Sequence, residues 1–196
     1  MVAEFDLIIL YLSRRTYVKD LIIDNVNDSS NFYKLPTPFF SMQGLESICL
    51  KNCNFEPPVT FNGFNKLRSV SFEKVQVSAK ALQHFLSNSP LLEDMYLMDD
   101  NVKLPNQATS MKFVDLLDDS SLTFDHLKHF ETAISSDNGF MIEFVKLIIA
   151  KSPMLEIARI DVNDYVSVEE ELKICKAIIN LPFPHASPSL KLFIGL

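Results

Sequence analysis

The stretch LESICL, residues 45–50, has apolar side chains at its first, fourth and sixth positions. The fourth and sixth residues of such a hexad share one side of a β-strand, because side chains alternate between the two faces of a strand. The same pattern returns as VKDLII from Val18, LRSVSF from Leu67, LEDMYL from Leu92 and LEIARI from Leu155. One short apolar strip therefore recurs along the chain, which is typical of a repeat protein.

The spacing of the hexads indicates the kind of repeat. The first four are separated by 27, 22 and 25 residues, within the roughly 20–29 residues of a leucine-rich repeat. The last gap, of 63 residues, leaves room for two irregular units, of which MKFVDL from Met111 is a candidate for one. Because one unit cannot bury its apolar strip alone, the units are expected to stack as an α/β solenoid with a parallel inner sheet.

The turn that follows each hexad is less regular. Three residues beyond the sixth position, the repeat favours Asn or Cys, which bonds backbone groups in the turn. The residues found there are Val26, Cys53, Val75, Asp100 and Asn163, of which two fit. The sequence therefore predicts irregular leucine-rich repeats.

Two Ser-Pro pairs, Ser89-Pro90 and Ser152-Pro153, stand between a helical pattern and a Leu-Glu hexad start. Proline cannot continue a helix, and it pushes the preceding residue toward an extended backbone. Each pair is therefore predicted to end an outer helix and to lead into the next inner strand. These serines are assigned a structural role rather than a catalytic one.

The patterns predict specific elements. Inner strands are expected at residues 19–23, 46–50, 68–72, 93–97 and 156–160, and outer helices at residues 78–87, 140–150 and 168–179. In the last helix, Leu172, Cys175, Ile178 and Ile179 are expected to pack inward. A final strand is expected in SPSLKLFI, and this end is expected to cap the solenoid, because an open sheet edge invites aggregation.

Composition narrows the classes of partner. The formal net charge is -7 and the pI is about 5.1, so the chain repels a phosphate backbone and no nucleic-acid partner is expected. Its apolar runs are too short to span a bilayer, so no membrane partner is expected. Three cysteines without a C-x-x-C pair favour a reducing compartment, cytoplasmic or nuclear.

The sequence contains no strong motif for catalysis, phosphate binding or metal binding. No nucleophile elbow and no phosphate-binding glycine loop occurs among the four glycines. His126 and His129 stand three residues apart on a predicted helix, but no further ligand with matching spacing completes a metal site. We expect no enzyme activity, no cofactor and no metal. Two alternatives remain: an enzyme whose site is built from distant residues, and a truncated product without independent function.

Several segments in combination resemble the plant F-box proteins that carry leucine-rich repeats and a C-terminal FBD domain. The distinctive features are an LP-x-x-FF-like lead-in from Leu35, LKNC-x-F-x-PP from Leu50 and F-x-GF-x-x-L from Phe61. EFVKLIIAKSPMLEIARID and LPFPHASPSLKLFI resemble the FBD ending. The resemblance implies irregular repeats over residues 1–138 and an FBD-like C-terminal domain over residues 139–196.

In that family an F-box docks on the adaptor of a Skp-cullin-F-box ubiquitin ligase, and the repeats recognise the substrate. We find no F-box in this sequence, so the resemblance implies substrate recognition without expected adaptor binding. The expected partner is a target protein whose identity the sequence does not give.

Strand alternation predicts where such a partner binds. The side chains that alternate with the core residues should form an open face, on which Tyr96 and Met98 are the expected anchors because aromatic and Met side chains are enriched at interfaces. The competing interpretation is that a loop of this chain covers the same row. The predicted binding residues are Asp20, Ile22, Asp24, Ser47, Cys49, Lys51, Ser69, Ser71, Glu73, Asp94, Tyr96 and Met98.

Overall fold

A computed structural model describes residues 2–26, 32–98, 123–134, 139–162, 166–179 and 187–195. The described helices are α1 (Val2–Ser13), α2 (Ala79–Ser87), α3 (Gly139–Lys151) and α4 (Val168–Ile179), with a short 3-10 helix at Thr37–Ser41. The described strands are β1 (Asp20–Asp24), β2 (Tyr33–Lys34), β3 (Ser47–Lys51), β4 (Cys53–Phe55), β5 (Ser69–Glu73), β6 (Gln76–Val77), β7 (Asp94–Met98), β8 (His129–Ile134), β9 (Ile157–Val162) and β10 (Lys191–Gly195).

Seven of the described strands form one parallel sheet in the order β1-β3-β5-β7-β8-β9-β10. Their order in space is their order along the chain, so the prediction of an α/β repeat fold with a parallel sheet is confirmed. The five predicted inner strands are present, but each begins one residue later than predicted. The amides of Glu46 and Ser47 both donate to the Lys19 carbonyl, and therefore regular strand pairing starts only at the third hexad residue.

One inner strand, β8, was not predicted from the sequence pattern. β8 corresponds to the hexad LKHFET from Leu127, whose sixth position holds Thr132 instead of an apolar residue. Thr132 is fully buried, and its hydroxyl donates to the Leu97 carbonyl at 3.0 Å. β8 pairs directly with β7, and the candidate unit at Met111 lies outside the described residues.

A single hydrogen bond closes the corner before each of six described strands. The amide of a leucine that lies one or two residues before the strand donates to the carbonyl three residues earlier, at 3.1–3.3 Å. The accepting residues are buried, and they are of two kinds, either large and apolar or serine. The six pairs are Met42 with Leu45, Phe64 with Leu67, Ser89 with Leu92, Phe124 with Leu127, Ser152 with Leu155 and Ser187 with Leu190.

The Ser-Pro pairs have the predicted place in the fold. α2 ends two residues before Ser89 and α3 ends one residue before Ser152, and a strand follows each corner. Both serines are buried, and neither hydroxyl has a hydrogen-bond partner among the residues that the structure describes. A buried hydroxyl without a partner lowers stability, because it has lost its bonds to water.

Replacing Ser152 by alanine is therefore expected to leave the free energy of unfolding unchanged or to raise it by about 1 kcal/mol. The matched control is Thr132→Val, which removes a buried hydroxyl that does donate a hydrogen bond and should cost about 1 kcal/mol. Urea unfolding followed by circular dichroism measures both variants. A larger loss for Ser152→Ala than for Thr132→Val would contradict the interpretation.

A second, smaller parallel sheet, β2-β4-β6, lies beyond the first three units and was not predicted. The chain passes from β3 to β4 through Asn52 and leaves β5 toward β6 through Lys74, both in the left-handed region with φ of 52°. At the turn position of the repeat, Cys53 and Val75 are buried and Val26 is exposed. Asp100 and Asn163 lie outside the described residues.

The helices α2, α3 and α4 occur where helices were predicted, but the buried face of α4 differs. Ile178 is fully buried as predicted, but Leu172 is 54% exposed and Cys175 is only partly buried. Ile174, which was not predicted to pack inward, is fully buried one helical turn before Ile178. The side chain of Ile179 lies outside the described residues. The apolar residues of α4 surround more than one face, so the pattern alone did not select the face that packs on α3. The predicted helix around His126 was also wrong, since His126 lies in a turn and His129 begins β8.

Phenylalanines fill the interior of the first three units. The phenylalanine cluster consists of rings that are each no more than 5% exposed, with neighbouring centroids 5.0–6.5 Å apart. Most neighbouring pairs meet edge to face, a favourable arrangement for aromatic rings. Its members are Phe39, Phe40, Phe55, Phe61, Phe64, Phe72 and Phe85, drawn from the 3-10 helix, two sheets, a loop and α2.

Candidate functional site: the open face of the parallel sheet

The twelve predicted binding residues lie on one side of β1, β3, β5 and β7. None of them is buried, whereas the eight residues that alternate with them are at most 9% exposed. The helices and the buried strand residues belong to one core on the other side of the sheet. Within residues 2–26, 32–98, 123–134, 139–162, 166–179 and 187–195, no segment buries the row, as the competing interpretation would require. Whether the row binds a partner stays a prediction.

The open face continues onto β8, β9 and β10, which the sequence reasoning did not include. Strand registry places Glu131 beside Tyr96, Arg159 beside Glu131 and Phe193 beside Arg159. We define the open face as the twelve predicted residues together with those that face the same way on the last three strands. These additional residues are His129, Glu131, Ala133, Ile157, Arg159, Asp161, Lys191, Phe193 and Gly195. Alternation within the final LKLFI could have revealed Phe193, whereas β8 was hidden by Thr132.

Charged groups on this face are partly paired. Lys51 Nζ lies 2.6 Å from a Glu73 carboxylate oxygen, and His129 Nδ1 lies 2.6 Å from Asp94 Oδ1. Arg159 places its guanidinium 5.5 Å from the centre of the Phe193 ring, on the side away from Glu131. Partial burial raises the pKa of Tyr96, and the nearby carboxylates of Asp94 and Glu131 raise it further. Tyr96 therefore stays a neutral aromatic beside two acids.

The cysteines differ in their surroundings. Cys49 is partly exposed on the open face, as predicted. Cys53 is fully buried and donates to the Lys51 carbonyl at 3.2 Å, and burial raises the pKa of its thiol to about 12. A thiol held protonated in this way is a poor nucleophile. Within the described ranges, no group of three or more His, Cys, Asp and Glu side chains is arranged to hold a metal ion.

A ladder of alternating charge runs along the rim of the open face, at the second position of each hexad. Backbone amides link its members in sequence, each donating to the carbonyl of the one before at 2.7–2.8 Å. The sign changes at every step, which could have been read from the hexads but was overlooked. The charge ladder is Lys19, Glu46, Arg68, Glu93, Lys128 and Glu156.

Glu93 is the central anion of the charge ladder. One of its carboxylate oxygens accepts from Lys128 Nζ at 2.7 Å and the other accepts from Arg68 Nη1. These hydrogen bonds, that of Lys128 first, hold the pKa of Glu93 below its usual value. A carboxyl whose pKa is lowered by folding stabilises the folded state above its unfolded pKa, and this contribution is lost as the pH falls through the folded pKa.

The variant Glu93→Gln is expected to lower the free energy of unfolding at neutral pH by about 1 kcal/mol, since it weakens two half-exposed ion pairs. The loss should shrink as the pH falls below the usual glutamate pKa of about 4.3 and through the lower pKa that Glu93 has in the folded protein, because the wild-type carboxylate then becomes protonated. The matched control is Glu143→Gln, which removes one surface pair with Lys146 and should cost less than about 0.5 kcal/mol. Urea unfolding between pH 3 and pH 7 tests this, and equal losses for both variants at every pH would contradict it.

The comparison with protein families gives the identity of the repeats. A family model described as "FBD-associated F-box protein At5g56370, LRR repeats" matches residues 9–157, from α1 to the first residue of β9. The chain belongs to this family. The resemblance to plant F-box proteins with leucine-rich repeats is thereby confirmed. The FBD-like assignment of residues 139–196 stays a prediction, because the match does not extend over most of that segment.

One curated relative of this leucine-rich-repeat chain is the F-box/FBD/LRR-repeat protein At1g13570 of Arabidopsis thaliana. The two are 29% identical over 114 residues, which make up 58% of this chain and 26% of the relative. The chain thus spans about a quarter of the length of that relative. Among the helices that the structure describes, none is long and apolar enough to cross a membrane.

Proposed function

We propose that this leucine-rich-repeat chain is a non-catalytic module that binds another protein through the open face of its sheet. The observation that carries the proposal is the open face itself: all twelve predicted residues are accessible on one side of a continuous parallel sheet. Seven strands give this surface a fixed spacing of about 4.8 Å between neighbours, and a rigid, pre-formed surface loses little entropy on binding.

The family context supports a role in substrate recognition for a ubiquitin ligase. The matched family and the curated relative are both named as F-box proteins, and the resemblance implies that the repeats hold the substrate while an F-box recruits the ligase. For this chain the proposal covers the recognition step. Binding to the ligase adaptor forms no part of it.

We also propose that the sheet extends as a solenoid and that residues 139–196 act as its FBD-like C-terminal cap. Six corners closed by the same hydrogen bond support a regular stacking of units. α4 contacts α3, its Ile174 and Ile178 are fully buried, and β9 and β10 continue the sheet. Intracellular location, in the cytoplasm or nucleus, is proposed from the three free cysteines.

The variant Tyr96→Ala with Met98→Ala is expected to reduce capture of a bound partner by at least about tenfold, because truncating a central aromatic anchor costs 2 kcal/mol or more. The measurement is affinity capture from plant extract with quantitative mass spectrometry, comparing proteins recovered by the wild type and by the variant. Circular dichroism confirms that each chain is folded.

The control is Lys80→Ala with Ser87→Ala, two exposed positions on α2. Proteins lost with the Tyr96 and Met98 variant but retained with the α2 control support the open face as the binding surface. Proteins that are retained by the Tyr96 and Met98 variant but lost with the α2 control would place binding on the helical side and overturn the proposal.

A further inference from the structure

The charge on the open face is unevenly distributed along the sheet. On β1, β3, β5, β7 and β8, the described outward residues include five carboxylates and one lysine. The two remaining cations of the face, Arg159 and Lys191, lie on β9 and β10 together with Asp161. The carboxylates are those of Asp20, Asp24, Glu73, Asp94 and Glu131. The first five strands therefore present a negative surface.

Pairing within the protein neutralises only part of this surface. Lys51 pairs with Glu73, and His129 contacts Asp94. Glu131 makes no ion pair with any residue that the structure describes, because Arg159, its neighbour in register, turns toward Phe193 instead. A partly exposed carboxylate is thus left at the centre of the sheet.

Tyr96 lies next to this carboxylate. It is the register neighbour of Glu131 and is two residues from Asp94 on its own strand, so both acids lie on the same face as the ring. A cation over a tyrosine ring is attracted by the negative face of the π system, and flanking carboxylates can accept its hydrogen bonds. This arrangement suits the ammonium of lysine or the guanidinium of arginine.

We propose that the protein partner docks a basic segment across β1 to β8, with a Lys or Arg side chain over Tyr96 between Asp94 and Glu131. The inference rests on the proposed function of the open face and adds the chemical class of the partner. Met98, the next residue of β7 that lies on the open face, contacts the aliphatic part of the partner's Lys or Arg side chain. Complementary charge accelerates encounter and selects against acidic partners, and its effect weakens as salt is added.

The test uses a displayed library of random octapeptides selected on the full chain. Selected peptides are expected to be enriched in Lys and Arg relative to the unselected library. A fluorescein-labelled copy of the most enriched peptide is then titrated by fluorescence anisotropy. Glu131→Gln should raise its Kd about tenfold, as expected when a charge-assisted hydrogen bond is lost, and raising the salt from 50 to 300 mM should weaken wild-type binding.

The matched control is Glu169→Gln, the same substitution at an exposed position on α4, and it should leave the Kd unchanged. Enrichment of peptides without Lys or Arg, with binding lost in the Tyr96 and Met98 variant, would overturn the basic-segment inference and leave the proposed function standing. Basic peptides that bind equally to wild type, Glu131→Gln and the Tyr96 and Met98 variant would overturn the inference and count against the proposed function. Selection of no peptide at all would also overturn the inference, since no linear basic segment would then be recognised.

Discussion

Replacing Phe55 by alanine is expected to lower the free energy of unfolding by about 3–5 kcal/mol. Phe55 is fully buried at the centre of the phenylalanine cluster, with five rings around it at centroid distances of 5.3–6.5 Å. Truncation removes the contacts of one ring from both sheets and from α2 at once, and the surrounding rings cannot all close the cavity. The expected loss is a large fraction of the about 5–15 kcal/mol that stabilises a typical protein.

The measurement is equilibrium urea unfolding, with the soluble yield recorded beside it. The control is Phe193→Ala on β10, which removes a phenyl ring that is 44% exposed and should cost less than about 1 kcal/mol. Phe55→Leu retains part of the side-chain volume, so its loss of unfolding free energy should lie between those of Phe55→Ala and Phe193→Ala. A loss for Phe55→Ala no greater than that of Phe193→Ala would mean that the cluster does not stabilise the first three units as described.

Replacing Gly63 by alanine is expected to lower the free energy of unfolding by about 3 kcal/mol, from a strained backbone and an overpacked contact together. Gly63 has a φ of 81°, in the left-handed region, and an added Cβ would lie 1.7 Å from the Asn88 carbonyl oxygen. That carbonyl belongs to the corner that ends α2, immediately before Ser89. The loop therefore has to move away from the corner, which also disturbs the hydrogen bond from Gln43 to the Gly63 carbonyl.

Gly195→Ala is the matched control for this substitution. Its added Cβ would meet the end of the Asp161 side chain, at 2.2 Å from Oδ1, and that carboxylate can rotate away. Its expected cost is below about 1 kcal/mol. The measurement is the melting temperature of both variants in thermal unfolding. Equal melting temperatures for Gly63→Ala and Gly195→Ala would show that the loop and the α2 corner do not constrain each other.

Local patterns were enough to predict the repeat and its two faces. Every core residue predicted on the first four strands, such as Leu50 and Met95, is buried, and every predicted outward residue is accessible. Alternation along a strand depends on backbone geometry alone, so a hexad such as LESICL assigns the two sides without knowledge of its neighbours. The Ser-Pro corners were predicted for the same reason, since the effect of proline on the helix before it is local.

The predictions were wrong where the burial of a side chain depended on contacts with residues that are distant in the sequence. The sixth hexad position of β8 holds Thr132, which is tolerated in the core only because the Leu97 carbonyl of the neighbouring strand accepts its hydroxyl. In α4, which contacts α3, Ile178 is buried as predicted, but Ile174 rather than Leu172 is buried with it. The groups that contact Thr132 and α4 are distant from them in the sequence, so the pattern of each segment alone does not reveal these contacts.

The sequence by itself thus determined the repeat, the parallel order of its strands and the residues accessible on the open face, because the spacing of the hexads fixes the first two and alternation within each strand fixes the third. The tertiary structure alone decided which side chains meet on the open face. Tyr96 and Glu131 are 35 positions apart in the chain and adjacent in the sheet, and Arg159 contacts Phe193 instead of Glu131. Such neighbours arise only when successive units stack in a fixed register, which is the physical reason why the surface chemistry of the face could not be read from the hexads.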